Sequence, residues 1–444
     1  MTATGQGHPG LPRLLAGLDP GGATMTLGDH ERTHGPLPKL AAHELIRAAE
    51  QSGLRGRGGA DFPTARKLRA VAGGDGASAR SARWGRRPSV VIVNGSETEP
   101  ASAKDRLLLS RLPHLVLDGA VLAASAVGAA GIIVKAGEGA LSAFRALEGA
   151  VSVRDDGVPI QLVAAPEGYV AGEESAVVHF LNGGPEKPTF VPPRPFERGY
   201  RGRPTLIQNP ETLAQLALIA RFGAQWFREL GTTADPGSAL VTISGAVQAP
   251  GVYELAFGTP MTDLLAAAGG STEPLQALLV GGYFGTWVDS SRLFRLRLAR
   301  EDLRSVGCSL GSGVLIALGE SACGLHESAR VIHYLAEESA GQCGPCVHGL
   351  AAIAEAVGAM ADGAAHPREH DRVLRWASEI RGRGACHHPD GAVRFVESAL
   401  AVFAAEIERH RHERCRRPPA GLPIRSVSDG APSRARAGTS RVRL

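Results

Sequence analysis

Cys343 and Cys346, three positions apart, and Cys386 further on have the residue type and spacing of a metal site. A Cys-x-x-Cys pair with a remote cysteine is typical of iron–sulfur or zinc ligation. Three thiolates are one short of a set of four, so three free thiols are the alternative. A thioredoxin-like redox pair is disfavoured because no strand–helix–strand pattern surrounds it. The other cysteines lack partner spacing and are interpreted as packing or tail residues: Cys308, Cys323 and Cys415.

A glycine-rich stretch, GLRGRGGADFPTARK at residues 53–67, has the chemistry of an anion site. Its glycines let backbone N–H groups approach an anion, and a helix start follows. Arg55 and Arg57 add guanidinium groups suited to phosphate, and Lys67 lies one turn into the helix. The stretch follows a helix rather than a strand, so it is neither a Walker A loop nor a dinucleotide-binding G-x-G-x-x-G motif. The residues alone leave a phosphate cradle and a surface turn both open.

An acidic stretch, VNGSETEP at residues 93–100, directly follows a predicted strand. The carboxyl ends of parallel strands are where α/β proteins place ligands. Asn94, Glu97 and Glu99 have groups that can hydrogen-bond a flavin ring or ribose hydroxyls. A solvated acidic turn is the alternative interpretation.

Two more polar stretches are candidate sites. Glu173 and Glu174 open a predicted helix, where the helix dipole stabilises carboxylates even without a ligand. Asn209 and Thr212 offer neutral donors and acceptors. Neither stretch identifies a ligand by itself.

Composition excludes several classes of protein. The 444 residues carry a net charge of +4, but nine arginines against Glu413 and Asp429 give residues 411–444 a charge of +7, so the remainder is about −3. The basic balance therefore belongs to a tail and not to a nucleic-acid-binding core. Six cysteines in so long a chain do not make a disulfide framework. No signal-peptide pattern opens the chain, and we expect a cytoplasmic protein without a transmembrane segment.

The patterns along the chain predict an ordered series of segments. Alternating helix and strand patterns over 39–238 predict a mainly parallel α/β domain. The apolar window 115–134 is interpreted as a buried helix and a core strand, because Asp118 interrupts it. The flanking segments are predicted as a flexible leader (1–38), a small α+β module (239–305), a bundle of four amphipathic helices (306–408) and a basic disordered tail (409–444).

Six motifs occur in one order along the chain: GLRGRGGADFPT, VNGSETEPASAKDR, GEESA, RGRPTLIQNPETL, GAVQAPGVYE and ESAGQCGPCVHG with a later cysteine. Together they resemble the flavin- and NADH-binding component of respiratory complex I, its F subunit, and related diaphorase subunits of NAD-linked hydrogenases and formate dehydrogenases. The resemblance implies an α/β flavin-binding domain, a β-grasp module of the SLBB type and a C-terminal helical bundle that holds a [4Fe–4S] cluster.

The resemblance also implies roles for individual residues. FMN is expected at Gly56, Arg57, Gly58, Gly59 and Lys67, which hold its phosphate, and at Asn94, Tyr169, Glu173, Asn209 and Thr212. The NADH pocket is expected at Phe62, Glu97, Glu99 and Glu174, and the cluster at Cys343, Cys346 and Cys386. The implied chemistry is hydride transfer from NADH to the flavin and single-electron transfer to the cluster, with no protein acid or base required.

Several positions depart from the family pattern. Ala340 stands where the family has the first cluster cysteine, so one thiolate of four is absent. A three-cysteine cluster, a [4Fe–4S] cluster with water or histidine as fourth ligand, and loss of the cluster are the possible outcomes; the first is preferred because the other three cysteines are kept. The histidines nearest in sequence are His348, His387 and His388. Further departures are Asp61 for Gly, Ser96 for Asp, Arg203 for Lys and Gln208 for Asn.

The sequence thus predicts an NADH-oxidising flavoprotein subunit. It would deliver electrons to a [2Fe–2S] thioredoxin-like subunit or a ferredoxin, and peripheral association with a membrane complex stays open. A non-redox interaction protein, in which the SLBB-like module binds a partner and the flavin site has decayed, is the alternative. Nucleic-acid binding by the arginine-rich tail is disfavoured, because aromatic residues do not alternate with the basic ones.

Overall fold

The computed structural model describes residues 2–4, as backbone, together with 10–73, 87–413, 415, 417–418 and 420–424. The basic stretch GGDGASARSARWGRR at 73–87, whose composition predicts a surface loop, lies mostly outside these residues, as does most of the tail. The fold class expected from the sequence is confirmed: a parallel α/β domain, a mixed β module and a helical bundle follow one another.

The first domain is built around a four-stranded sheet in which every strand pair is parallel. Its strand order is β4-β3-β2-β5. The strands are short β-branched or alanine-rich runs, as buried parallel strands require. The elements up to the end of this domain are β1 (Thr2–Thr4), α1 (Leu27–His34), α2 (Ala42–Ser52), α3 (Thr64–Ala72), β2 (Ser89–Gly95), α4 (Lys104–Arg111), α5 (Pro113–Val127), β3 (Ala129–Gly137), α6 (Leu141–Ser152), β4 (Ile160–Ala165), α7 (Glu174–Leu181), α8 (Pro195–Arg198), β5 (Thr205–Gln208) and α9 (Pro210–Arg228), with short 3-10 helices at Tyr169–Gly172 and Tyr200–Gly202.

The expected flexible leader is wrong for residues 10–38. Leu14 and Leu15 belong to the hydrophobic core of the α/β domain. The backbone N–H groups of Arg13 and Leu15 donate to the buried Glu254 carboxylate at 2.8 and 3.1 Å. The sequence prediction failed because this segment packs through contacts with residues more than two hundred positions away, which local composition does not report.

The apolar window is, as predicted, a buried helix followed by a core strand, α5 and β3. Asp118 is tolerated inside it because its carboxylate pairs with His30 at 2.7 Å and Arg154 at 2.6 Å. Burial opposes its ionisation, but these partners outweigh burial and lower the pKa of Asp118. Among the described residues no single helix has both the length and the apolarity to cross a membrane; only α4 and α5 together, bent by 95°, meet those two criteria.

The middle module is a six-stranded mixed sheet with strand order β1-β7-β6-β10-β8-β9. Alternate residues of β10 enter different cores, since Leu315 packs against the module's own helices and Ile316 against the helical bundle. The predicted boundary at 305 therefore falls inside this module, before its strand β10. The elements are β6 (Ser238–Gly245), β7 (Gly251–Ala256), α10 (Met261–Ala267), β8 (Leu275–Val280), β9 (Thr286–Asp289), α11 (Ser290–Leu293), α12 (Arg300–Ser305) and β10 (Val314–Gly319).

The C-terminal bundle contains the four predicted amphipathic helices, the last of them broken into two. A π-helical turn, Pro345–Leu350, precedes the second. The segment after residue 410, expected to be disordered, is ordered in part, because Leu422 is buried in the same core as the helices. The helices are α13 (Gly324–Glu337), α14 (Ala351–Ala361), α15 (Glu369–Ile380), α16 (His388–Val402) and α17 (Ala404–His410).

Candidate cofactor and cluster site

The glycine-rich stretch forms a tight turn between α2 and α3. The Gly56 N–H donates to the Phe62 carbonyl at 2.8 Å and closes the turn. Gly59 has φ +102°, which only glycine adopts without strain. Asp61, where the family has glycine, has φ +48°, a left-handed conformation that aspartate tolerates. The turn therefore keeps its shape despite the substitution.

Two adjoining cavities open beside this turn, of about 560 and 890 Å³. Volumes of this order are typical of small-molecule and cofactor sites. The smaller cavity lies where all three domains meet, and the larger lies between the turn, α3 and the start of α7. Gly58, Asn94, Glu173 and Asn209 line both cavities, so the two form one continuous site.

All fourteen residues predicted to bind cofactors line one or both cavities. The smaller cavity adds Arg57, Gly59, Glu97, Glu99 and Tyr169 to the shared residues, and the larger adds Gly56, Phe62, Lys67, Glu174 and Thr212. These residues come from motifs more than 150 positions apart in the sequence. Their direct contact with a cofactor stays a prediction.

Two buried side-chain atoms on the larger cavity have no hydrogen-bond partner in the described structure. Asn94 donates through Nδ2 to the Gly172 carbonyl at 2.8 Å, which leaves its Oδ1 without a donor. Gln208 Nε2 likewise lacks an acceptor. Unpaired buried polar atoms are costly, so a ligand that supplies one donor and one acceptor fits these walls.

Three of the predicted ligands also hold the cavity walls in place. Asn209 caps α9, accepting from the Glu211 N–H at 2.9 Å. Glu173 caps α7, accepting from the Ser175 and Ala176 N–H groups at 2.9 and 3.1 Å. Thr212 Oγ1 accepts from the Arg57 N–H at 2.9 Å and fixes the glycine-rich turn. The helix-end interpretation of Glu173 is thus confirmed alongside its position in the cavity.

The acidic stretch after β2 is not a solvated turn. Glu97 accepts from the Asp105 and Arg106 N–H groups at 3.0 and 3.1 Å and so caps α4. Burial raises the pKa of Glu97, and the nearby Asp105 carboxylate raises it further. Glu99 is buried and accepts from the Tyr169 hydroxyl at 2.9 Å and the Tyr283 N–H at 2.7 Å. Glu99 therefore joins the α/β domain to the middle module.

The two arginines of the glycine-rich turn are not free phosphate forks. Arg55 Nε donates to Asp61 at 2.8 Å. The Arg57 guanidinium is buried over the Phe257 ring at 4.6 Å, and burial lowers the pKa of Arg57 although Glu211 opposes the shift. Lys67 lines the larger cavity, where it pairs with Glu174 and donates to the Ile207 carbonyl at 3.0 Å. The turn thus offers backbone N–H groups and Lys67 to an anion.

Cys343, Cys346 and Cys386 come together beside the smaller cavity. The Cys346 N–H donates to the Cys343 carbonyl at 3.1 Å at the start of the π-helical turn. Cys386 lines the smaller cavity and lies close enough to Cys343 and Glu173 for both to raise its pKa, after burial as the main cause. One member of the cysteine group, Cys386, therefore shares a cavity with the glycine-rich turn.

Burial and neighbouring groups shift the pKa values of these thiols in different directions. Burial raises the pKa of Cys346 to about 12, and the Cys343 thiol adds to the effect. Burial also acts on Cys343, but backbone N–H groups of Ala385 and Cys346 outweigh it and lower its pKa. Iron supplies the positive charge that turns such buried thiols into thiolates. The three residues fit an iron–sulfur centre.

The missing fourth thiolate has no replacement among the described cysteines. Ala340 is buried, and its carbonyl accepts from Lys187 Nζ at 2.8 Å. His388 is held by Nε2 on the Leu335 carbonyl at 2.7 Å, while the side chain of His387 is fully exposed at the cavity mouth. His348 is exposed as well. His387 Nδ1 lies 3.7 Å from the Asp390 carboxylate, whereas His388 is engaged through Nε2 and keeps a buried Nδ1 without a partner in the described structure.

Part of the cavity wall was not predicted. Gly281 and Ser312 of the middle module and Phe284, Arg394 and Gly391 beside them complete the smaller cavity. A Cβ at Gly282 would meet Glu99 Oε2 at 2.4 Å, so the GGYFG turn needs glycine there. The glycine pair after β8 was the available signal; the position of Arg394 depends on domain packing and has no local signal.

Comparison with known proteins places the chain. Three family profiles match: the Nuo51 FMN-binding domain over residues 49–218, the SLBB domain over 240–282 and the NADH-ubiquinone oxidoreductase-F iron–sulfur binding region over 319–410. An NAD+-reducing [NiFe]-hydrogenase structure is similar with a TM-score of 0.75 and 30% identity, over 84% of this chain. This chain spans 64% of that hydrogenase chain.

Curated relatives agree over nearly the whole length. The NADH-quinone oxidoreductase F subunit of Mycobacterium bovis is 31% identical over 87% of this chain and 90% of its own. The corresponding protein of Streptomyces coelicolor is 30% identical over 84% of each chain, and the second F subunit of Rhizobium meliloti is 29% identical over 91% of this chain and 98% of its own. At this identity and coverage, the chain belongs to the family of NADH-quinone oxidoreductase F subunits.

Proposed function

We propose that this protein is an NADH-oxidising flavoprotein subunit that passes electrons from NADH through FMN to an iron–sulfur centre and then to another protein. The observation that carries the proposal is the shared cavity: Cys386 lines the same space as Gly58 and Asn94. An electron leaving a flavin there would have a short path to the cysteine group. Bound FMN would accept a hydride from NADH and release single electrons, chemistry that the protein itself cannot supply.

Different residues of the two cavities would hold different parts of FMN. The backbone N–H groups of the glycine-rich turn and Lys67 would hold its phosphate. Asn94 Oδ1 and Gln208 Nε2, both buried and unpartnered, would pair with the polar edge of the ring. Phe62 is 44% exposed at the rim of the larger cavity, where an aromatic face can stack on the dinucleotide. The caps formed by Asn209 and Glu173 keep these groups in register.

Three thiolates, from Cys343, Cys346 and Cys386, would hold the cluster in this chain. Cys386 lines the smaller cavity and the other two thiols lie close enough to one another and to Cys386 to perturb the pKa values within the group, and the described part of the chain brings no fourth cysteine to them. A cluster retained on three cysteines is favoured over a lost one because backbone N–H groups already point at Cys343 and Cys386, as they do around cluster sulfurs.

The acceptor is proposed to be a [2Fe–2S] thioredoxin-like subunit or a ferredoxin. The similar proteins are named as subunits of NADH-quinone oxidoreductases, so they assemble with other proteins. This supports a protein partner for this chain. A cytoplasmic location is part of the same proposal, because thiolate clusters are kept in reducing compartments. The alternative, a scaffold with a decayed flavin site, would predict a filled pocket, whereas the two cavities here are open.

Asn94→Ala is expected to weaken FMN binding by roughly 5- to 150-fold, since losing a partner for a buried polar group costs about 1–3 kcal/mol. FMN affinity is measured by titrating the flavin-free protein and following flavin fluorescence. Gln51→Ala, an exposed amide on α2, is the control and should bind FMN normally. Unchanged affinity in the Asn94 variant would remove Asn94 from the flavin site.

The whole proposal is tested by one anaerobic titration of the purified full-length protein with NADH. We expect bound FMN, loss of the flavin absorption near stoichiometric NADH, and a change in the EPR spectrum of the cluster iron on reduction. Protein that purifies without flavin in FMN-supplemented buffer would contradict the flavin proposal. Flavin reduction in a protein free of iron would instead leave the flavin part standing and reject the cluster.

A further inference from the structure

A second group of metal-binding side chains lies outside the cavity. Cys323, His326, His410 and Cys415 each offer one donor atom, and these four atoms all lie within 4.8 Å of one another. Cys323 and His410 are buried, and the other two are partly buried. Nothing in the proposed electron path uses these residues.

The four donors come from three separate segments. Cys323 caps the start of α13, and His326 follows within the first turn. His410 ends α17, and Cys415 lies in the segment that follows. The resulting Cys-x-x-His and His-x4-Cys pairs have the close spacing of zinc motifs. From the sequence, Cys323 and Cys415 are interpreted as packing or tail residues because neither has a second cysteine at metal-site spacing. Their close partners in sequence are histidines, which that criterion does not include.

The four donor atoms are slightly farther apart than they would be around a bound metal ion. In a tetrahedral zinc site, with Zn–S of about 2.3 Å and Zn–N of about 2.0 Å, donor atoms stand roughly 3.3–3.8 Å apart. Cys323 Sγ and His410 Nε2 are 3.6 Å apart, which already matches. The remaining donors need to move by about one ångström or less to reach such distances.

Polar and charged groups lie close to the four donors. The His326 N–H points at Cys323 Sγ at 3.4 Å, and His326 Nε2 lies 3.7 Å from Asp362 Oδ1. A carboxylate that hydrogen-bonds the second ring nitrogen commonly orients a ligating histidine, and Asp362 lies within about 1 Å of that distance. Glu406 contacts Cys323 Sγ at 3.4 Å and is neutralised by Arg417 at 3.0 Å. Metal loading would release the thiol protons, and Arg417 would keep Glu406 compensated.

This group is separate from the proposed cluster. Cys323 lies at the start of α13, whereas Ala340 and Cys343 follow its end. The fourteen residues of that helix span about 21 Å at 1.5 Å per residue. One metal centre cannot take ligands from both ends of the helix.

We propose that Cys323, His326, His410 and Cys415 form a structural zinc site that fastens the C-terminal segment to the helical bundle. Two thiolates and two imidazoles in a closed site favour Zn²⁺ over hard cations. Beyond Cys415 the chain packs on α13: Gly421 and Leu422 donate their N–H groups to Glu327 at 3.1 and 3.2 Å. The Tyr283 hydroxyl donates to the Pro423 carbonyl, so the fastened segment also supports the middle module.

Metal analysis of the full-length protein, purified with its iron and flavin under reducing conditions and dialysed against zinc-containing then zinc-free buffer, tests this site. We expect one zinc ion per chain in addition to the iron. Cys415→Ser and His410→Gln should each lose the zinc and keep the iron and flavin. Cys308→Ser, a buried thiol outside both groups, should keep all three.

A second measurement does not depend on the variants folding. In the unsubstituted protein, zinc should protect Cys415 from alkylation, and a chelator should expose it. Wild-type protein that holds no zinc, variants that keep it, or iron leaving in place of zinc would each overturn the proposal. A Cys323–Cys415 disulfide recovered from freshly purified, unreduced protein would also overturn it.

Discussion

Cys386→Ser is expected to abolish the iron–sulfur centre and to reduce NADH-driven electron transfer to a one-electron acceptor protein by more than about 100-fold, because even the loss of groups that merely orient metal ligands costs 10- to 100-fold. A centre already limited to three thiolates has no ligand to spare. The serine hydroxyl is similar in size to the thiol, so the cavity wall and FMN content should be preserved. Iron and sulfide content, FMN content and acceptor reduction are the three measurements.

Two companion variants make this result specific. Cys308→Ser removes a buried thiol from the core of the middle module and should retain the cluster. Ala340→Cys restores the thiol at the family position and should change the EPR signature toward that of a four-thiolate cluster. A Cys386→Ser protein with full iron content would show that Cys386 is not a ligand of the cluster.

Lys67→Met is expected to weaken FMN binding by roughly 10- to 150-fold, because a hydrogen bond to a charged group contributes about 1.5–3 kcal/mol. The effect should not come from unfolding. Lys67 and Glu174 are 26% and 42% exposed, and ion pairs of this exposure contribute little to stability. FMN affinity and the melting temperature of the flavin-free protein, measured together, separate the two effects.

The position of the charge can be tested as well. The double variant Lys67→Glu with Glu174→Lys keeps the ion pair but moves the cation, so it should melt normally and still bind FMN weakly. Lys39→Met, an exposed lysine ahead of α2, serves as the neutralisation control. If Lys67→Met held FMN as tightly as the unsubstituted protein, the phosphate would have to lie elsewhere on the cavity wall.

Much of this molecule was accessible from local sequence. Short β-branched runs, amphipathic periodicity and glycine-rich turns are local properties, and they predicted the parallel sheet, the middle module and the helical bundle. The residue types that line the site were also predictable from local sequence, because the glycines, Asn94 and the acidic residues all lie within the recognised motifs. All fourteen predicted residues reach the two cavities.

Tertiary structure alone decided what each of these side chains does. Arg57 lines the smaller cavity, but its guanidinium is buried over the Phe257 ring. Glu99 connects the α/β domain to the middle module. The N-terminal segment is held by hydrogen bonds to Glu254. Cys323 and Cys415 lie close together because α13 packs against the C-terminal segment. Local pattern reports which face of an element is apolar. It carries no information on which distant polar group will contact a side chain once that face is buried. At this site such long-range contacts determine which side chains are charge-paired, which polar atoms remain without a partner and which residues can bind a metal.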